Sequence, residues 1–291
     1  MTPEITAVVP AGNTLGEGPV WCPREQALYW VDIEKSFLQR FHPESGAVRH
    51  WQLPERIGSL ALRETGGAVL ALASGLAFFD FASGALERLA APEKDNPRNR
   101  FNDGKCDRAG RFWAGTMDDR LSEHTGALYR LDPDLSCHRM ASGIGIPNSI
   151  AWSPDDRVFY FADTMDRVIH AYDFDRDSGA IANRRVFCTF EDQPGNPDGS
   201  TVDAEGCLWN AQWDGWRVVR YDPRGRIERI VELPVQKPTS CMFGGPDLST
   251  LYVTSAIWDL DAKALARQPL AGHLLALEVG VRGLPEPRFA G

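Results

Sequence analysis

Four side chains suited to one kind of chemistry stand at one recurring place in this chain. Asn102, Asn148 and Asp198 each lie five positions ahead of a tight turn that opens into an apolar strand, and Glu17 repeats the arrangement in a weaker copy. The turns are Asp107 to Gly110, Ser153 to Asp156, Asp203 to Gly206 and Cys22 to Glu25, all rich in residues that favour chain reversal. Two carboxylates and two carboxamides make an oxygen-donor set of the kind hard divalent cations prefer, whereas zinc or copper sites normally draw on more His and Cys. With so few protein donors, water or substrate must complete the coordination. An open position of that sort is what metal-assisted hydrolysis needs.

Residues this far apart in sequence can meet only if the repeat itself brings them together. Gly58 and Ser240 occupy the same place ahead of turns at Arg63 to Gly66 and Gly245 to Asp247, which makes six units with a period of roughly 40 to 50 residues, the spacing of four-stranded β-propeller blades. The expected fold is all-β: a six-bladed propeller of four-stranded antiparallel blades, read as one domain over 1–291. Rotation relates the blades, so Glu17, Asn102, Asn148 and Asp198 should converge on the axis. Gly58 and Ser240, being small, should leave room there. Ile5 to Val9 is expected to pair with the last unit and close the ring, which removes free sheet edges, and the insertion around Asp259 to Pro269 should hold a short helix.

Taken singly, Asn102 in FNDG or Asp198 in NPDG reads as a turn residue. Glu17 in LGEGP does not, and convergence by repeat symmetry favours a site. Asp107 and Asp203 remain turn residues in this reading. Trp30, Trp113 and Trp209 take matching strand positions and should pack between blades. Trp213 and Trp216, flanking Asp214, should lie nearer a mouth of the ring without an assigned ligand. The six histidines are scattered through the units, no GxSxG elbow occurs, and neither Cys106 nor Ser240 has a visible base, so covalent catalysis is not expected.

Composition narrows the rest. The 291 residues carry a formal net charge of −9, which argues against nucleic acid or an anionic membrane as partner. No apolar run reaches the length of a membrane span, and the first residues lack the basic and apolar regions of a signal peptide. The six cysteines form no CxxC pair and read as reduced thiols. A cytoplasmic location follows as the expectation, and oligomeric state is not constrained.

The sequence resembles the SMP-30/gluconolactonase/regucalcin family along nearly its whole length. The resemblance rests on LGEGPVW at Leu15 to Trp21, RFNDGKCDRAGRFWAGTM at Arg100 to Met117, Pro147-Asn148-Ser149 running into AWSPD, PDGSTVDAEGCLW at Pro197 to Trp209, and GGPDLSTLYVTSA near the end. It implies a six-bladed propeller holding one divalent cation and opening sugar lactones to aldonic acids. Calcium is the first candidate ion, with iron(II), manganese, magnesium or zinc as the others. By motif, Glu17, Asn148 and Asp198 would be the metal ligands, Asp198 also the general base, and Arg100 and Asn102 the substrate-binding pair. A further acidic substrate contact falls in MDDRLSE, on Asp118 or Asp119. Two alternatives stay open: a metal-dependent esterase or phosphotriesterase on the same fold, and a non-catalytic cation-binding regulatory propeller.

Overall fold

Short apolar runs punctuated by Gly, Pro and Asp turns build strands of five to ten residues and little else. In the computed structural model, which describes residues 3–291, these strands form six antiparallel sheets of four. The blade-opening strands are Gly16–Cys22, Ile57–Leu62, Asn99–Cys106, Pro147–Trp152, Asn196–Val202 and Pro238–Gly244. Each touches the opening strand of the blade on either side, so together they line the axis of a closed ring. Ile5–Val9 joins the last sheet beside Leu274–Glu278, closing the ring as expected. The insertion in the last blade carries one helix, Ala262–Arg267, capped by Asp261. Among the described residues, no helix is long and apolar enough to cross a membrane.

Packing between blades accounts for the aromatic content, with one correction. Trp113 and Trp209 are fully buried against the following blade, Trp113 beside Ile150, Trp152 and Phe159, and Trp209 beside Phe243 and Leu251. The matching residue of the first blade is Tyr29, packed on Leu60, Leu62 and Leu70. Trp30 lies one position further and therefore points to the opposite face, against Met242, Tyr252 and Leu274 of the last blade. Asp107 and Asp203 do more than turn the chain. Asp107 accepts from the Ala109 and Arg111 amides, from Arg111 Nε at 2.6 Å and from Trp113 Nε1 at 2.9 Å. Asp203 does the same for Trp209 Nε1 at 2.8 Å and Arg220 Nε at 2.8 Å. One carboxylate thus ties turn, tryptophan and arginine together where water is excluded.

The end of the chain lies across the turn side of the ring. Gly283 donates to Leu248 O at 2.8 Å, Phe289 to Leu62 O at 2.9 Å and Ala290 to Gly110 O at 3.0 Å. The other mouth is left to the residues at the start of the opening strands.

Candidate active site

Every opening strand carries a register irregularity near its start. The shifts fall at Glu17/Val20, Ile57/Ser59, Phe101/Gly104, Asn148/Ala151, Pro197/Ser200 and Pro238/Ser240. A bulge bends a strand and re-aims its side chains, and here it turns the recurring polar position toward the axis. Gly18 at φ 54° and Ser149 at φ 56°, each following a site residue, adopt left-handed backbone within their bulges. Glu17, Asn102, Asn148 and Asp198 all line one open cleft, the concave form that small-molecule sites take.

The two small members of the series behave otherwise than expected. A Cβ on Gly58 would stand 2.5 Å from the Asn102 carbonyl oxygen, so the glycine admits a neighbouring backbone. Ser240 packs onto Gly199. Neither lines the cleft; the room they were expected to leave is filled by the adjacent strands.

Hydrogen bonds hold the four converging residues in place. Asn102 donates from Nδ2 to Pro147 O and to Asn148 Oδ1, both at 3.1 Å. Asn148 donates from Nδ2 to Thr164 Oγ1 at 2.8 Å, and Thr164 in turn donates to Pro197 O at 2.6 Å. The Asp198 main-chain carbonyl accepts from Ser149 Oγ at 2.6 Å and from Asn210 Nδ2 at 2.9 Å. Glu17 accepts from the Gly18 amide at 2.9 Å. Burial, then Asp103, push the Glu17 carboxyl up to about 8. Burial, then Glu17 and Asp103, raise Asp198 well above the usual carboxylate range.

Two carboxylates, Glu17 and Asp198, buried in one site with the Asp103 charge acting on both, are unfavourable without positive charge to offset them. Glu17, Asn148 and Asp198 present oxygen donors only, and this charged, hard donor set fits a divalent cation.

The rim is ion-paired. Arg100 donates to Asp119 at 3.0 Å, Asn102 Oδ1 at 2.9 Å and Phe101 O at 3.0 Å. Arg56 grips Asp119 with two bonds of 2.9 and 2.6 Å and reaches Glu34 at 3.4 Å. Of the two acidic candidates, Asp119 lines the cleft. The Asp118 side chain is turned into its own loop, where Ser122 first, then the Ser122 and Arg120 amides and Arg98, hold its carboxyl down at about 2.

Several site residues carry little sequence signal. Asp103 sits inside the NDG turn motif, and its carboxylate accepts from the Gly104 and Ile150 amides. Glu34 and Arg56 lie in connections outside the repeat. Trp258 falls in the last-blade insertion and lines the cleft with Trp213. Trp216 does not join them; its amide bonds Gln236 O and its carbonyl accepts from Leu233. A separate group, His124, Asp163 and Asp166, brings ligand-type atoms within 4.8 Å of one another, but the Asp163 carboxylate is already taken by the amides of Gly145, Ile146 and Met165.

A family model described as SMP-30/Gluconolactonase/LRE-like region matches residues 15–257. The chain belongs to this family. Among its relatives are a 6-deoxy-6-sulfogluconolactonase of Pseudomonas putida, 41% identical over all of both chains. An L-arabinolactonase of Azospirillum brasilense is 42% identical over 99% of this chain and 96% of its own. In structure the chain is similar to regucalcin of Agrobacterium tumefaciens, described as a calcium-binding protein, with a TM-score of 0.95 and 33% identity over 100% of this chain and 98% of the other. For this member of the SMP-30/gluconolactonase/LRE-like family, the propeller inferred from the repeat is the family's fold, and its first matched residue stands two positions before Glu17.

Proposed function

We propose that the cleft hydrolyses the internal ester of a sugar lactone to the aldonic acid, with one divalent cation held by Glu17, Asn148 and Asp198. The carrying observation is the meeting of these three residues, from three blades, in one cleft lined also by Arg100 and Asn102. The lactonase names of the relatives support the reaction class, and the calcium-binding description of the Agrobacterium tumefaciens protein favours calcium.

When bound, the cation would polarise the ester carbonyl and offset the negative charge that develops on it. Asp198 would take a proton from the attacking water and return it to the ring oxygen as the ester opens. Arg100, fixed by Asp119 and Asn102, would hold hydroxyl or ring oxygens and keep the substrate in register with Asp198. The six free thiols support a cytoplasmic location.

The test is the initial rate of acid release from a panel of aldonolactones (glucono, galactono, xylono, arabinono), using metal-stripped protein with single ions restored. Ion-dependent hydrolysis well above the spontaneous rate is expected. Tight ion binding with no turnover on any lactone would leave the regulatory propeller, and a preference for aryl esters or phosphotriesters would leave the esterase.

A further inference from the structure

The cleft has two unlike walls. On one side stand Trp213, at the end of strand Leu208–Trp213 in the fifth blade, and Trp258, just after strand Thr250–Ser255 in the sixth. Their ring centroids are 6.1 Å apart at an interplanar angle of 53°. Lys237 Nζ lies 4.2 Å from the Trp213 centroid and 6.0 Å from that of Trp258, and is itself paired with Asp214 at 3.2 Å. A buried cation against both rings helps to hold them in place, so a half-buried and an exposed tryptophan stand together on the cleft. Trp258 is 38% exposed.

In ring order, the other wall comes from the first three blades and contains Glu34, Arg56, Arg100 and Asp119. Among the described residues lining the cleft, Arg56 and Arg100 are the only cations. Both are already paired, Arg56 to Asp119 and Glu34, Arg100 to Asp119. An anionic substituent at this wall would meet no unpaired side-chain cation and would lie beside Glu34 and Asp119, a repulsive arrangement that selects against it. Hydroxyl groups, by contrast, can bond to either member of an existing ion pair.

We propose that the Trp213–Trp258 wall is the surface on which the apolar C–H face of the lactone ring lies, and that the ion-paired wall opposite accepts neutral hydroxyl-bearing substituents and rejects anionic ones. This deepens the lactonase reading and rests on it. It sets the chain apart from the Pseudomonas putida relative, whose name specifies a sulfo-substituted lactone. Trp258 and Trp213 act as positioning residues for binding, and Glu34 as the discriminating charge.

The experiment compares kcat and KM for gluconolactone and 6-deoxy-6-sulfogluconolactone with wild-type, Trp258→Ala, Trp258→Phe and Glu34→Gln proteins. The neutral lactone should be preferred by about tenfold or more in kcat/KM, the equivalent of one lost favourable contact or one added repulsion. Trp258→Ala should raise KM about five- to tenfold with kcat held within about twofold, and Trp258→Phe should recover most of the loss. Glu34→Gln should narrow the gap between the two lactones. Equal or better turnover of the sulfonated lactone by the wild type, or an unchanged KM in Trp258→Ala, overturns this proposal alone. A wild-type protein inactive on every lactone with every ion overturns the lactonase reading and this proposal with it.

Discussion

The side-chain amide of Asn102 donates to Asn148 Oδ1 across the boundary between the third and fourth blades, at 3.1 Å. Thr164 takes the other end of Asn148, so the amide is held with its oxygen toward the axis. In the proposed metal site Asn102 would thereby orient the neighbouring ligand Asn148 as well as lining the cleft. Groups that orient metal ligands typically contribute about 10- to 100-fold in affinity. Asn102→Ala should therefore weaken ion binding by about that much in calorimetric titration while leaving the circular dichroism spectrum unchanged; unaltered affinity would remove the orienting role.

Asp198→Asn keeps the size of the side chain and an oxygen donor but removes the proton acceptor. Loss of a positioned general base costs about 10²- to 10⁴-fold. The best lactone of the panel, assayed at saturating ion, should show a kcat reduced within or beyond that range. A near-wild-type rate would exclude Asp198 as the base.

Removing the ion should lower thermal stability. Binding to the folded state alone at about 100 times the dissociation constant adds about 2.7 kcal/mol, which for a domain of this size corresponds to a Tm shift of about 4 to 5 °C. Scanning calorimetry with chelator, then with excess calcium restored, would read it. The shift should vanish in Glu17→Gln; a full shift in that variant would place the binding elsewhere.

The two adjacent aspartates should separate cleanly. Asp119→Ala leaves Arg56 and Arg100 without their shared partner and should reduce kcat/KM about tenfold or more, with little change in denaturant midpoint. Asp118 bonds only within its loop and to Arg98, so Asp118→Ala should lower the denaturant midpoint and leave kcat/KM largely unchanged. Comparable catalytic losses in both would merge the roles.

Asp107 offers a control far from the chemistry. It is fully buried against Arg111, and removing one member of a buried ion pair costs about 3 to 5 kcal/mol. Asp107→Ala should lose stability of that order in urea denaturation and keep its KM at temperatures where it stays folded. An unchanged midpoint would return Asp107 to a simple turn residue.

The fold and the four axial residues were legible because both depend on repetition. A turn motif recurring at fixed distance from a polar residue carries its own geometry: equivalent places in blades related by rotation must meet, and Glu17, Asn102, Asn148 and Asp198 do. Trp30 shows where the method fails. Composition cannot distinguish adjacent strand positions, and a slip of one residue puts a side chain on the opposite face; the pairing register assigns Tyr29 to the place taken by Trp113 and Trp209 elsewhere. Gly58 shows a second failure, since the absence of a side chain reads equally as open space or as space filled by another backbone.

By itself, then, the sequence determined the number of blades, the closure of the ring and the identity of the residues at its axis, because turn chemistry and strand periodicity are local properties that the repeat multiplies. Tertiary structure alone decided which aspartate faces the cleft, that Asp103 adds its charge to Glu17 and Asp198, and that Arg56, Glu34 and Trp258 join the site. Those residues lie in connections outside the repeat, where no periodicity constrains direction. Their side chains are aimed only by the ion pairs and ring contacts that form once the blades have closed around the axis.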